Sequence, residues 1–210
     1  MARTVGILIF DGVEILDFCG PYEVFSVAGT RAGNDDLTVC TVASRRVVVR
    51  TANGLVVQPD YAFDDCPEID LLVVPGGQGT RALLSDASAL SWIARTCETA
   101  EIVLSVCTGA LLLGKLGLLD GLNATTHHGS FQLLREIAPN ANVREDARYV
   151  DNGKFVVAAG VAAGIDASFY VVSRLFSEDA ARRTAKQIEY PWEYPGESPS
   201  EPELADTEPG

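Results

Sequence analysis

A chain of 210 residues, 47% of them hydrophobic and 21% charged, is long enough to fold as one unit around a substantial core. Its 29 acidic residues outweigh 16 basic ones, and the net charge of −13 excludes a basic nucleic-acid face and an anionic membrane surface as partners. Six of the acids lie between 191 and 210, where no Lys or Arg occurs, so −7 of that charge remains for the rest of the chain.

Short apolar runs alternate with helical patterns along the chain. VGILIF (Val5 to Phe10) reads as a buried strand. GPYEVFSVAG follows as a helix, with Pro21 near its first turn and Asp17 just ahead of it. LTVCTVAS (Leu37 to Ser44) is the second strand, and VVVRTANGLVVQP is a hairpin around Asn53-Gly54. DLLVVPGG is a buried strand ending in a glycine turn, and SDASALSWIARTCETA a helix capped by Ser85 or Asp86. EIVLSV (Glu101 to Val106) is another buried strand and TGALLLGKLGLL the helix after it. NATTHH reads as a short strand, SFQLLREIA as a helix, and ARYVDNGKFVVAAG as a hairpin around Asp151-Asn152-Gly153. AGIDASFYVVSRLF and SEDAARRTAKQIEY are two closing helices, with Asp166 read as the cap of the first, over Ala167 to Phe176.

Apolar strands separated by helices imply an α/β fold, a doubly wound and mostly parallel sheet covered on both faces. Residues 1–190 form a single domain in this reading. The acidic, Pro-rich segment 191–210 cannot build a core of its own, although Trp192 and Tyr194 favour docking of its first residues.

The five cysteines, Cys19, Cys40, Cys66, Cys97 and Cys107, are odd in number and form no C-x-x-C pair, which argues against a disulfide framework or a zinc site. MARTVGILIFDG lacks the length and cleavage site of a signal peptide. The apolar stretch LLLGKLGLL is broken by Lys115 and falls short of the ~20 residues a membrane span requires. The expectation is a soluble cytoplasmic protein acting on a small molecule, without metal or organic cofactor.

In open α/β sheets, ligands sit beyond the carboxyl ends of the strands. Three such ends carry reactive or permissive residues. VLSVCTGALLLG places Cys107 where a strand runs into a helix through one tight turn, the arrangement that raises a nucleophile out of a sheet. A helix N-terminus is expected to favour the thiolate. The blander reading is a small core residue. Pro75-Gly76-Gly77 allows positive φ, and the N–H groups of Gly77 and Thr108 are candidate oxyanion donors. Asp17, in EILDFCGPYEVF, is either a helix cap or a buried carboxyl that serves as acid and base; Glu23 competes for that role. His127 and His128 are the only histidines and candidates for the pocket wall.

FDGVEILDFCGPYEVF, LLVVPGG, SVCTGALLLGKLGLLDG, ATTHH and AAGIDAS, in this order from about Val5 to Glu189, resemble the ThiJ/PfpI superfamily, whose domain is like that of class I glutamine amidotransferases. They look most like its branch of isocyanide hydratases and amidase-like domains of AraC-type regulators. The resemblance implies a flavodoxin-like sheet, a homodimer, a nucleophile at Cys107 followed by Thr108, and a working partner at Asp17. Two positions depart from the pattern. Thr108 stands where the family's proteases and amidases tend to carry histidine, and His128 where the hydratases usually carry tryptophan. No helix-turn-helix region follows Glu189, unlike the regulators. The expected function is hydration or hydrolysis of a small carbon electrophile at Cys107, with isocyanide to N-substituted formamide foremost. The alternatives are glyoxalase or deglycase chemistry on an α-oxoaldehyde, or a non-enzymatic redox or ligand sensor.

Overall fold

The computed structural model describes residues 3–30 and 37–194; segment 195–210, most of the acidic tail, lies outside the described residues. In chain order the elements are β1 (Arg3–Leu8), α1 (Ile15–Thr30), β2 (Leu37–Ala43), β3 (Val49–Arg50), β4 (Val56–Val57), β5 (Tyr61–Ala62) and β6 (Leu71–Val74). Then come α2 (Thr80–Leu83), α3 (Ala87–Thr99), β7 (Ile102–Val106), α4 (Gly109–Lys115), β8 (Asn123–Ala124), α5 (Phe131–Ile137) and β9 (Asn142–Val143). The described chain closes with β10 (Tyr149–Asn152), β11 (Phe155–Ala158), α6 (Ala163–Leu175) and α7 (Glu178–Ile188).

Seven strands form one sheet in the order β10-β11-β7-β6-β1-β2-β5. All neighbours pair in parallel except the β10–β11 hairpin. Every residue of β6 and β7 is buried, so their near-unbroken Val, Leu and Ile content reflects cover on both faces. Helices α1, α6 and α7 pack on one another, while α4 packs on α2 and α5; β7 touches both α4 and α6. The chain adds β2 on one side of β1 and β6 on the other, so strand order reverses between them. In a flavodoxin-like sheet that reversal opens a crevice beyond the carboxyl ends of the strands.

Four local readings change. Helix α1 begins at Ile15, not Gly20, because the Glu14 N–H is held by the Gly76 carbonyl (2.9 Å) and turns the chain at once. Asp17 is therefore inside the first turn, and Pro21, inside the helix, withholds the N–H that would bond the Asp17 carbonyl. Helix α4 stops at Lys115 rather than running to Leu119, and Gly117 follows in the left-handed region at φ 71°. Of NATTHH only Asn123–Ala124 is strand; Thr125 and Thr126 are buried and His128–Ser130 forms a single 3₁₀ turn. Helix α6 starts at Ala163, so Asp166 lies in its first turn and does not cap it. The short helix α2 has no counterpart in the sequence reading. The packed body also extends beyond Tyr190, since Trp192 is buried against Phe169 with ring centroids 5.6 Å apart.

Candidate active site

Cys107 follows the last residue of β7, and Thr108 leads into α4. Its φ of 56° is the left-handed conformation that a non-glycine residue rarely adopts. The surroundings hold it there. Its N–H donates to the Ala159 carbonyl (2.8 Å), and its own carbonyl accepts from Thr126 Oγ1 (2.8 Å). This is the elbow expected of the sequence, and it explains why ATT follows as a buried polar segment: Thr126 braces the turn. Gly109 permits it, because a Cβ there would lie 2.0 Å from the Val74 carbonyl oxygen.

Asp17 is fully buried, and Gly76 N–H donates to its Oδ2 (2.9 Å). Its Oδ1 has no partner of good hydrogen-bond geometry among the described residues. Gly76 has to be glycine, since a Cβ would lie 2.4 Å from the Thr108 nitrogen and 2.9 Å from Asp17 Oδ2. The three strand ends thus meet at one point: Asp17 after β1, Gly76 after β6 and Cys107 after β7.

Burial is the largest influence on the Asp17 carboxyl and pushes it up to about 7; the Gly76 N–H and the Cys107 thiol pull it down, and the Glu14 charge pushes it up. The Cys107 thiol is pushed up to about 12, first by burial and then by the charge on Asp17, against the pull of the Thr108 and Val161 N–H groups. The helix N-terminus therefore does not produce a free thiolate by itself. A thiolate costs least when Asp17 holds the proton, because the second cause of the rise is then gone. The two groups act as a pair that shares one proton around neutral pH.

A cavity of ≈ 290 Å³ opens over the thiol. Buried Cys107 and Thr108 lie at its floor, and exposed Gln78, Arg81 and Gly129 at its rim. Gly77, Glu14, His127, Ser130 and Val161 complete the wall. Gly77 lines the cavity at φ 126°, but its N–H is engaged by Thr108 Oγ1 (2.9 Å), which corrects the expectation of a free oxyanion donor there. The Thr108 hydroxyl also donates to the Gly77 carbonyl (3.2 Å) and meets Thr80 Oγ1 (3.0 Å), so it ties the glycine turn to α2. The backbone donors that act on the sulfur are Thr108 and Val161.

His127 lines the cavity, and its Nδ1 accepts from Gly129 N–H (3.2 Å). Its pKa is lowered, chiefly by burial and then by His128, which keeps the imidazole neutral with its proton on Nε2. His128 is exposed, packs on the His127 ring at 4.3 Å and does not line the cavity, contrary to expectation. Glu23 is exposed on α1 and does not line it either, which leaves Asp17 as the carboxyl beside the thiol. Glu14, Gln78, Arg81 and Val161 escaped the sequence reading. Glu14 stands one helical turn before Asp17, and Gln78 and Arg81 directly follow the glycine turn, so proximity to those motifs was the available signal. Val161 carried none, because the sheet alone brings it to Cys107. No group of three or more His, Cys, Asp or Glu side chains able to hold a metal occurs among the described residues.

The model of the DJ-1/PfpI family matches residues 3–174 of this chain. An isonitrile hydratase of Pseudomonas putida is 36% identical over 190 residues, which covers 90% of this chain and 79% of that protein. A deglycase of Thermococcus kodakarensis is 29% identical over 153 residues, 71% of this chain and 86% of the relative. The crystal structure of a ThiJ/PfpI family protein from Pseudomonas syringae superposes with a TM-score of 0.83 at 30% identity, covering 95% of this chain and 80% of that one. The chain belongs to the DJ-1/PfpI family.

Proposed function

We propose that this DJ-1/PfpI family member is a cysteine-dependent hydratase that converts a small isocyanide into an N-substituted formamide. The observation that carries the reading is the buried pair of Asp17 and Cys107 under a small cavity, with a carboxyl near 7 and no histidine following the nucleophile. Isocyanide hydration needs a soft nucleophile for a carbon with a lone pair, and one group that gives a proton to that carbon and then takes one from water. Similarity to an isonitrile hydratase over 90% of the chain supports the same reaction.

The proton of the Cys107 thiol passes to Asp17, and the thiolate adds to the terminal carbon. The Thr108 and Val161 N–H groups steady the charge on sulfur before attack. Protonated Asp17 delivers its proton to the carbon, giving a neutral thioimidate with a new C–S and a new C–H bond. The Asp17 carboxylate then takes a proton from water as the oxygen adds to the same carbon, and that proton goes to the substrate nitrogen. The C–S bond breaks, the hydroxyl proton leaves as the carbonyl forms, and the formamide departs from a regenerated thiol. Isocyanide and water are consumed, and no oxidant or reductant is needed. His127, neutral and held through Nδ1, has Nε2–H left to donate to the substrate or product.

Incubation with simple isocyanides should give one formamide per isocyanide consumed, and Cys107→Ala should reduce turnover at least about 10³-fold. Absence of formamide with the wild type, or equal rates in the variant, ends this reading. A second reading draws on the polar lining of the cavity, where Glu14 in the wall and Gln78 and Arg81 at the rim suit an α-oxoaldehyde, and on similarity to a deglycase. Conversion of methylglyoxal to lactate without any formamide from isocyanides would select it. The sensor reading is disfavoured by the burial and raised pKa of the thiol, since ready oxidation needs an accessible thiolate.

The proposal includes a homodimer in the cytoplasm. All five cysteines are unpaired, as a reducing compartment would keep them, and no described helix is long and apolar enough to cross a membrane. On the β3–β4 hairpin Val47 and Val48 are about 60% exposed and Leu55 and Val56 nearly half. A second copy is the occupant we assign to this apolar patch. Sedimentation should give a dimer in the wild type and a monomer in Val48→Asp; a monomeric wild type would overturn the assignment.

A further inference from the structure

We infer that Arg81 makes the cavity over Cys107 selective for electrophiles that carry a carboxylate a few atoms from the reacting carbon. The inference rests on the thiol chemistry proposed above and names its substrate class.

Most arginines of this acidic chain are spoken for. Arg148 is bonded to Asp166, Arg174 to Asp151 and Arg135 to Glu145. Arg81 differs: among the described residues its guanidinium has no ion pair or hydrogen bond. Yet it lines the cavity of the nucleophile, and among the described residues it is the one cationic side chain that does. Helix α2 positions it. Buried Thr80, the first residue of α2, is tied through its hydroxyl to Thr108, next to the thiol, and Arg81 is the next residue. The cation is thus anchored at its backbone to the floor of the site while its side chain stays free at the exposed rim.

The charges of the cavity are arranged in depth. Asp17 lies buried beside the thiol, and Glu14 is close enough to act on both Asp17 and His127. Arg81 is at the solvent end. An anionic substrate is repelled by the inner carboxylates unless its negative group points outward, where Arg81 can take both oxygens in its planar fork. That polarity sets the direction of entry: electrophilic carbon inward, carboxylate at the rim. A cavity of ≈ 290 Å³ leaves room for only a small molecule between the two ends. An isocyanide built on a short carboxylic acid, such as isocyanoacetate, has that shape and charge.

Two pairs of probes, each an anion and its neutral counterpart, test this separately from the reaction. Iodoacetate and iodoacetamide alkylate a thiolate alike, with loss of iodide, and differ only in charge. The rate ratio of anionic to neutral reagent at Cys107, followed peptide by peptide by mass spectrometry, should fall about tenfold in Arg81→Gln. It should rise in Glu14→Gln, and changes in thiol reactivity cancel in the ratio. Isocyanoacetate against its methyl ester should give the same shift in kcat/KM. An alkylation ratio equal in wild type and Arg81→Gln overturns the inference even if isocyanides are hydrated. A ratio that falls while no isocyanide gives formamide upholds the carboxylate subsite and sinks the hydratase reading instead.

Discussion

Asp17 and Asp166 sit in the first turns of two helices, α1 and α6, that pack on each other. Both look like caps in the sequence, and neither is one. Their surroundings part them. Asp166 is bonded to the Arg148 guanidinium and accepts from the Tyr190 hydroxyl (3.0 Å), so its charge is matched. Asp17 is fully buried with one backbone N–H and a thiol for company and, among the described residues, no cation. A carboxylate paired with a cation serves architecture. A buried carboxyl without one keeps its proton until about pH 7 and can give it away. The position in the helix is nearly the same, and the partner set decides which acid can do chemistry.

The comparison is sharpest in Asp17→Asn. Turnover should drop about 10²-fold, because the amide can neither deliver nor accept the proton. Stability should move the other way. The folded-state pKa of Asp17 lies above the ordinary 3.8, so the folded protein binds the extra proton. The contribution of Asp17 to stability is therefore fully present below about pH 4 and is lost as the pH rises from about 4 to about 7. At pH 8 the Asn variant should be the more stable protein in urea, by as much as about 4 kcal/mol, and the gap should close near pH 4. A variant that is less stable at pH 8 would mean that Asp17 is structural.

The pH dependence of kcat/KM is the next test. Below about 7 the pair holds two protons and no thiolate forms, so the wild-type rate should rise with pH through about 7. A rate that is flat across that range would separate Asp17 from the reaction. The smallest effect is expected at the matched acid. Asp166→Asn should cost about 1 kcal/mol, since the side chain of Arg148 is 55% exposed and solvent screens the pair. It should leave the pH–rate profile in place. A shifted profile would show that the two acids are not independent.

Much of this was legible in the chain. The strand and helix around Cys107 are local patterns in VLSVCTGALLLG, and a nucleophile at a strand end needs no distant residue to be suspected. Asp17 stood out as an acid among apolar neighbours, although its burial comes from the sheet corner and not from Leu16, which is exposed. Other readings failed because they depend on what lies across the crevice. Gly77 looked like a free N–H donor beside Thr108; in the fold the Thr108 hydroxyl takes the Gly77 N–H. His128 looked equivalent to His127, but the 3₁₀ turn sends one to the cavity wall and the other to the surface.

The sequence by itself determined the α/β class, the order of the longer strands and helices, and the elbow that carries Cys107, because periodicity and turn chemistry act over a few residues. Only the tertiary structure decided which groups meet the thiol. Asp17, Gly76, Cys107 and Val161 come from four separate strand ends and loops, and parallel pairing of β1, β6, β7 and β11 brings them together. Their pKa values follow from burial and from one another's charge, and neither exists until the sheet has closed.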